Sequence, residues 1–313
     1  LEGNYKLKIA KTSEMELRNF SKPVVIGGVG GSGTRVVAEI VEKLGFYIGD
    51  DLNPARDNLW FLMLFKRPRW YSKSRHDSEK IFRGLSLFSN SMVHTKKPAW
   101  SELIFLIQAT LEIAISGHNH KGDGRGSWPF IRAWNMLKMK RKTLLNHTGW
   151  GWKEPNTHIF LEFLAEYFKH LKYIHTIRNG LDMAFSKNQQ QLYNWGPMFG
   201  VKPPKSKTDE PAASLKYWVM SNKRVLEIGE KLGDEKFLVV NFDKLCLSPR
   251  SEVHRIVSFL NIKPSAENLE ITLNIPKKPT SLGRFRAHNI GQFDPADLCA
   301  LEALGFFSTT SNS

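Results

Sequence analysis

Of the short stretches in this 313-residue chain whose residue types and spacing could do chemistry, GGVGGSGTRVVAEI comes first. It runs from Gly27 to Ile40 and directly follows the apolar run PVVI. A glycine-rich turn between a strand and a helix aims several backbone N–H groups, and the positive end of the helix dipole, at one spot where an anion binds. The ATP-binding version, GxxxxGK[ST], adds a lysine for the β and γ phosphates and a hydroxyl for magnesium. Here the register Gly28 to Gly33 is followed by Thr34 and Arg35, so both side chains are missing from their places. That argues against an ATPase or a typical kinase. The dinucleotide fingerprint GxGxxG fits no better, because no acidic residue closes a second strand in a clear βαβ unit.

Three further stretches carry groups suited to anion chemistry. RNGLDMAFS, from Arg178 to Ser186, puts an arginine at a strand's carboxyl end, where open α/β sheets bind ligands, with a serine eight residues on. Such a pair can offer a phosphate a charge-assisted fork and a hydroxyl. GWKEPN, from Gly151 to Asn156, presents Lys153 just before Pro155, and FYIGDDLNPARDN holds the carboxylates Asp50, Asp51 and Asp57.

In combination these stretches resemble a known family. Gly-Ser-Gly-Thr at the start of the first helix resembles the 5′-phosphosulfate loop of sulfotransferases that use 3′-phosphoadenosine 5′-phosphosulfate (PAPS). RNGLDMAFS resembles that family's 3′-phosphate element, and GWKEPN the Lys-Asp/Glu-Pro element of its tyrosylprotein and bacterial branches. SLGRF, from Ser281 to Phe285, resembles their C-terminal Gly-Arg-aromatic loop. The resemblance implies a P-loop-like α/β fold and PAPS as sulfuryl donor. Gly30, Gly31, Ser32, Gly33, Thr34 and Arg35 would then lie at the 5′ end, Arg178 and Ser186 at the 3′-phosphate, and Leu282, Gly283 and Arg284 in the C-terminal loop. It also implies Lys153 as the group that neutralises the leaving oxygen, and a carboxylate base taken first as Asp51, with Asp50 and Asp57 as alternates. His94, His118 and His120 stand as rival bases. No metal is expected. The sequence departs from the cytosolic Pro-Lys-Ser-Gly-Thr-Thr loop, having Gly30 and Gly31 before Ser32, so positive charge at the 5′ end is assigned to Lys153 with Arg35.

The elements that must position these groups follow from periodicity. Val24 to Ile26 form a β-branched strand. Val36, Val37, Ile40, Val41 and Leu44 then recur at helical spacing up to Gly45. Ile159 to Phe168 give one amphipathic helix, Tyr173 to Ile177 a buried strand, KFLVVNF a strand, and SPRSEVHRIVSFLNI a helix with a Ser-Pro start. The expected fold is a single α/β domain with a central parallel sheet of about five strands flanked by helices. Residues 57–150 read as a helical insertion on the substrate side, with helices near 58–65, 99–116 and 130–145 and a polar loop GHNHKGDGRGSW. Gly196 to Pro211, rich in Pro and Lys, is predicted to be a second loop. Trp128, Trp134, Trp150 and Trp152 could face an acceptor or fill the core.

Bulk properties bound the rest. The composition, 41% hydrophobic and 24% charged, is that of a globular protein. No apolar run approaches the roughly 20 residues of a membrane span. LEGNYKLKIA has no signal-peptide character, and two cysteines far apart suggest neither a disulfide framework nor zinc, so a reducing, cytoplasmic setting is expected. A net charge of +15 favours anionic partners, and seven Lys or Arg against one acid fall between Lys121 and Lys142. The reading is sulfuryl transfer to a hydroxyl of a carbohydrate, lipid, phenol or peptide tyrosine, with no specific nucleic-acid partner. A P-loop kinase and a basic nucleic-acid-binding module are the alternatives.

Overall fold

The computed structural model describes residues 22–93, 96–118, 124–138 and 146–306. His94, His120, Lys121, Lys140, Arg141 and Lys142 therefore lie outside the described residues. A five-stranded, wholly parallel sheet is made of β1 (Val24–Gly27), β2 (Phe46–Tyr47), β3 (Gly149–Lys153), β4 (Lys172–Ile177) and β5 (Phe237–Asn241), in the order β2-β3-β1-β4-β5. Parallel sheets are covered on both faces, which is why the strands read as nearly continuous apolar runs. Val24, Ile26, Ile174 and Val240 belong to the core on one face, and Val25, Trp150, Trp152 and Tyr173 to the core on the other. The alternation is the period of two that a pleated strand imposes.

On the first face lie α1 (Thr34–Lys43), α11 (Phe242–Leu247), α12 (Pro249–Leu260) and α13 (Ala266–Leu273). The inward stripe of α1 is Val37, Ala38, Ile40 and Val41, and the chain leaves it through Gly45, whose φ of +94° is a left-handed value open to glycine. The opposite face carries the helices between β2 and β3: α2 (Leu59–Phe65), α3 (Pro68–Ser74), α4 (Ser78–Val93), α5 (Trp100–Ser116) and α6 (Trp128–Lys138). LWFLMLF in α2 is apolar all round, and all but its first residue is buried. Within it Phe61 meets Phe65, Phe88, Trp152 and Phe160.

The amphipathic segment after β3 is not one helix. Pro155 starts a 3₁₀ turn over Pro155–Phe160, and α7 (Leu161–Tyr167) follows. Next come α8 (Gly180–Ala184), α9 (Gln190–Trp195), α10 (Glu210–Leu232) and, near the end, α14 (Pro295–Ala303). The predicted 196–211 loop begins as a 3₁₀ turn over Gly196–Phe199 and enters α10 at Glu210. Trp150 and Trp152 are fully buried and stacked, so they belong to the core. Cys246 and Cys299 are both free thiols. Among the described residues no helix is long and apolar enough to cross a membrane.

Candidate active site

Strand order fixes where a ligand can sit. The connection from β1 runs toward β2 and that from β4 toward β5, so the sheet switches direction between β1 and β4, and open α/β sheets bind ligands outside the carboxyl ends at such a point. A cleft of about 450 Å³ lies there, lined by the glycine loop, Asp57, Lys66, Lys153, Glu154, Arg178, Gln191, Tyr217, Phe242 and Ser281. Lys153 ends β3 and Arg178 follows β4, on the two neighbours of β1. At ~4.8 Å per strand their backbones stand roughly 10 Å apart across the loop.

The loop is shaped to leave donors open. Gly31 and Gly33 have φ of +96° and +91°, and Ser32 N–H closes the turn onto the Val29 carbonyl at 3.0 Å. Gly33 caps α1 without a side-chain bond, and the first turn of the helix holds no acid. Among the described residues, no acceptor faces the N–H groups of Gly31, Gly33, Thr34 or Arg35. Phe242 lies against Gly33 so closely that a Cβ there would fall 2.0 Å from its ring. Arg35 lines the cleft; Ser32 is buried behind the loop, and its Oγ has no hydrogen-bond partner.

On the β3 side a short local motif builds the polar wall. Asn53 Oδ1 accepts the N–H groups of Ala55 and Asp57, both at 2.9 Å, which folds NPARD into a tight loop with Arg56 at φ +61°. The loop brings the Ala55 carbonyl and the Asp57 carboxylate to Lys153 Nζ. The lysine donates to the first at 3.0 Å and forms an ion pair with the second. Asn53 Nδ2 holds the other Asp57 oxygen at 2.8 Å. An ammonium has three donors, so these two contacts leave Lys153 one to spare beside the cleft. Beside them, burial pushes the Glu154 carboxyl well above the usual carboxylate range, and Asp57 adds to the rise against Lys66, Asn156 and Lys153. Burial likewise draws the Lys66 ammonium down, with Glu154 and Asp57 opposing it.

On the β4 side Arg178 is 8% exposed. Its Nη2 donates to Ser281 O at 2.7 Å and Ser281 Oγ at 3.0 Å and lies 3.6 Å from Asp182, while its Nε lies 3.9 Å from Asp243. Asp182 in turn accepts the N–H groups of Gly283 and Phe285, at 2.7 and 3.2 Å, and so ties the SLGRF loop to α8. Within that loop Ser281 lines the cleft, whereas Leu282 and Gly283 line a neighbouring hollow and Arg284 donates to the Phe185 carbonyl at 3.2 Å. Ser186 stands just past α8, outside the cleft lining, where its Oγ accepts the Asn188 N–H at 3.3 Å.

Of the carboxylates the sequence offered, the structure brings Asp57 to Lys153. Asp51 instead faces Arg132 of α6 at 3.3 Å and does not line the cleft, because the Leu52–Asn58 bridge turns the chain between them. Asp50 does not line the cleft either, and His118 packs edge-on to Trp128. Two groups escaped the sequence reading. Lys66 follows an apolar helix with no motif around it. Gln191 accepts the Gly30 N–H at 2.8 Å and donates to Asn156 Oδ1 at 2.9 Å, which also receives the Trp195 indole at 2.7 Å. The NQQQ run carries no signal that would single out its last residue. Among the described residues no His, Cys, Asp and Glu group could hold a metal ion.

A family model described as the sulfotransferase family matches residues 23–266. Among solved structures, the chain is similar to the sulfotransferase domain of the olefin synthase of Synechococcus PCC 7002, at 14% identity over 92% of this chain and 95% of that one, with a TM-score of 0.45. It is also similar to sulfotransferase STF9 from Mycobacterium avium, at 15% identity over 92% and 77%, TM-score 0.44. A third similar structure is the sulfotransferase domain from the curacin biosynthetic pathway, at 10% identity over 87% and 82%, TM-score 0.42. No curated protein sequence matches the chain.

Proposed function

Because the chain belongs to the sulfotransferase family, we propose that it moves a sulfuryl group from PAPS to a hydroxyl acceptor, with Lys153 and Asp57 at the reacting centre. The observation that carries this reading is the pairing of two cationic anchors across one open anion loop: Lys153 beyond β3 and Arg178 beyond β4, on either side of Gly31 to Arg35. A donor with a phosphosulfate at one end and a 3′-phosphate at the other needs two such anchors. The open N–H groups of Gly31, Gly33, Thr34 and Arg35 suit the first end, and the buried Arg178, whose Nε makes no hydrogen bond and meets Asp243 only at 3.9 Å, suits the second.

Sulfuryl transfer, like phosphoryl transfer, is mainly a matter of in-line positioning and charge stabilisation. The acceptor oxygen forms a bond to sulfur while the bond from sulfur to the bridging phosphate oxygen breaks. Lys153 uses its remaining donor on the charge that builds at that oxygen. Asp57, oriented by Asn53, accepts the proton that the hydroxyl gives up. Asp57 takes the base role from Asp51 in this reading, because it shares the cleft with Lys153 whereas Asp51 faces Arg132. Glu154 holds Asn156 through its N–H and Nδ2, both at 2.7 Å, and so supports the Gln191 bridge at the mouth of the loop.

The test is sulfuryl transfer from labelled PAPS to a panel of sugar, lipid, phenol and tyrosyl-peptide hydroxyls. Asp57→Asn is expected to lose about 10²- to 10⁴-fold in transfer rate, the usual worth of a general base, while Asp51→Asn stays within a few-fold. The opposite ranking would return the base to Asp51. Phosphoryl transfer from ATP with none from PAPS would overturn the reading.

A further inference from the structure

We propose that the α5–α6 hairpin docks on an anionic lipid bilayer, lying in its surface. Among the described residues twelve large apolar side chains are exposed, and nine of them sit on these two helices. On α5 they are Trp100, Ile104, Ile107, Leu111 and Ile115, a single face at helical spacing. On α6 they are Phe130, Ile131, Trp134 and Leu137. At ~1.5 Å per residue the α5 ridge runs about 22 Å. Trp100 and Trp134 are 83% and 57% exposed, and alone they present roughly 200–350 Å² of ring surface. The largest apolar patch on a soluble monomer covers about 300–600 Å² in all, and seven further apolar side chains lie beside these two.

Charge identifies the occupant. The two acids of α5 are turned to internal work. Glu102 is buried and accepts the Ala99 N–H at 2.7 Å, and Glu112 pairs with the buried Arg67 at 2.9 Å. The α6 sequence WPFIRAWNMLK contains no acid, and its Arg132 is held by Asp51. Within the described residues 96–118 and 124–138 the exposed charged side chains are Lys96, Lys97, Arg125 and Lys138, all basic. The sequence adds Lys121 and Asp123 between the helices and Lys140, Arg141 and Lys142 after them. Lys138 Nζ lies 4.2 Å over the Trp134 ring, a cation beside an amphipathic aromatic of the kind found at membrane interfaces. An exposed apolar ridge flanked by Trp and Lys, on helices not long and apolar enough to span, is the pattern of an interfacial element drawn to anionic headgroups. A two-fold contact with a second copy would set this cationic rim against itself.

Vesicle co-sedimentation of the full chain tests the proposal, using phosphatidylcholine alone and phosphatidylcholine mixed with phosphatidylglycerol. The wild type is expected to bind the mixed vesicles more tightly, and more weakly as salt rises. The Trp100→Ser, Ile107→Ser, Trp134→Ser triple variant should lose about tenfold or more in partitioning. Lys138→Glu should weaken binding to mixed vesicles only. Unchanged circular dichroism and thermal midpoint would show that the exposed substitutions leave the fold intact. Failure of the wild type to bind either vesicle would overturn the proposal. So would equal binding by the triple variant, or a wild-type dimer that the triple variant turns into a monomer.

Discussion

At the strand ends, Lys153 and Arg178 are charges held at 2% and 8% exposure between apolar layers; on the α5–α6 hairpin, Trp100 and Ile115 are apolar groups held at 83% and 72% in water. The two regions break the ordinary rule of burial in opposite directions. Each charge in the cleft has partners that justify its burial: Ala55 O and Asp57 for Lys153, Ser281 and Asp182 for Arg178. The exposed ridge has no such internal compensation. A buried charge with spare donors points to a ligand that enters the fold, and an apolar ridge without a cover points to a surface that the fold approaches. Substitutions in the first region should therefore cost both stability and turnover, and those in the second neither.

The largest effect is expected at Lys153. Lys153→Met would leave Asp57 without its ammonium and take from the buried Glu154 a smaller part of its charge support, costing about 3 kcal/mol or more by urea unfolding. The loss of one preorganised donor would lower sulfuryl transfer by about 10²- to 10³-fold. Acid comes next, through the buried histidines below the cleft. Burial holds His175 down at about 4 and His158 at about 3, from an ordinary value of 6.5. Below pH 6.5 the unfolded chain takes up protons that the folded chain refuses, so stability falls as pH drops through 6.5 and the loss from His175 levels off near 4. That loss is about 3 kcal/mol, and it should be smaller in His175→Phe when unfolding is compared at pH 7 and 4.5. Gly33→Ala follows, at about 1–3 kcal/mol in the same assay, because its Cβ would overlap the Phe242 ring. Ile107→Ser on the ridge should change stability by only about 0.5 kcal/mol. A large loss there would mean that the ridge is part of the core, and the contrast between the regions would collapse.

How much of this could be read from the chain differs between the same two regions. The β1–loop–α1 unit, β4, β5 and α12 were legible because each has one dominant period and a clear stop. The sheet of about five parallel strands was expected as a whole, with only β1, β4 and β5 located in the sequence. Arg178 was singled out because a strand end is a local feature, and Lys153 through the resemblance of GWKEPN to a family element. Which aspartate meets Lys153 was not legible, since that depends on the Asn53 turn and on Arg132 arriving from α6. Two-residue β2 has no periodicity to detect. In α4, Gly84 and buried serines blur the apolar stripe; Ser89 Oγ satisfies itself on the Leu85 carbonyl at 2.7 Å. For the hairpin, the sequence showed tryptophans near basic residues, but the sorting of Trp150 into the core and Trp134 into solvent is decided by packing alone.

Titration calorimetry with adenosine 3′,5′-bisphosphate against ATP, on the wild type and on Arg178→Ala, bears most directly on the two-anchor cleft. The account predicts that the bisphosphate binds far more tightly than ATP, and that Arg178→Ala weakens it by about 10- to 100-fold, the worth of a charge-assisted fork. Equal, weak binding of both nucleotides, unmoved by the substitution, would contradict it.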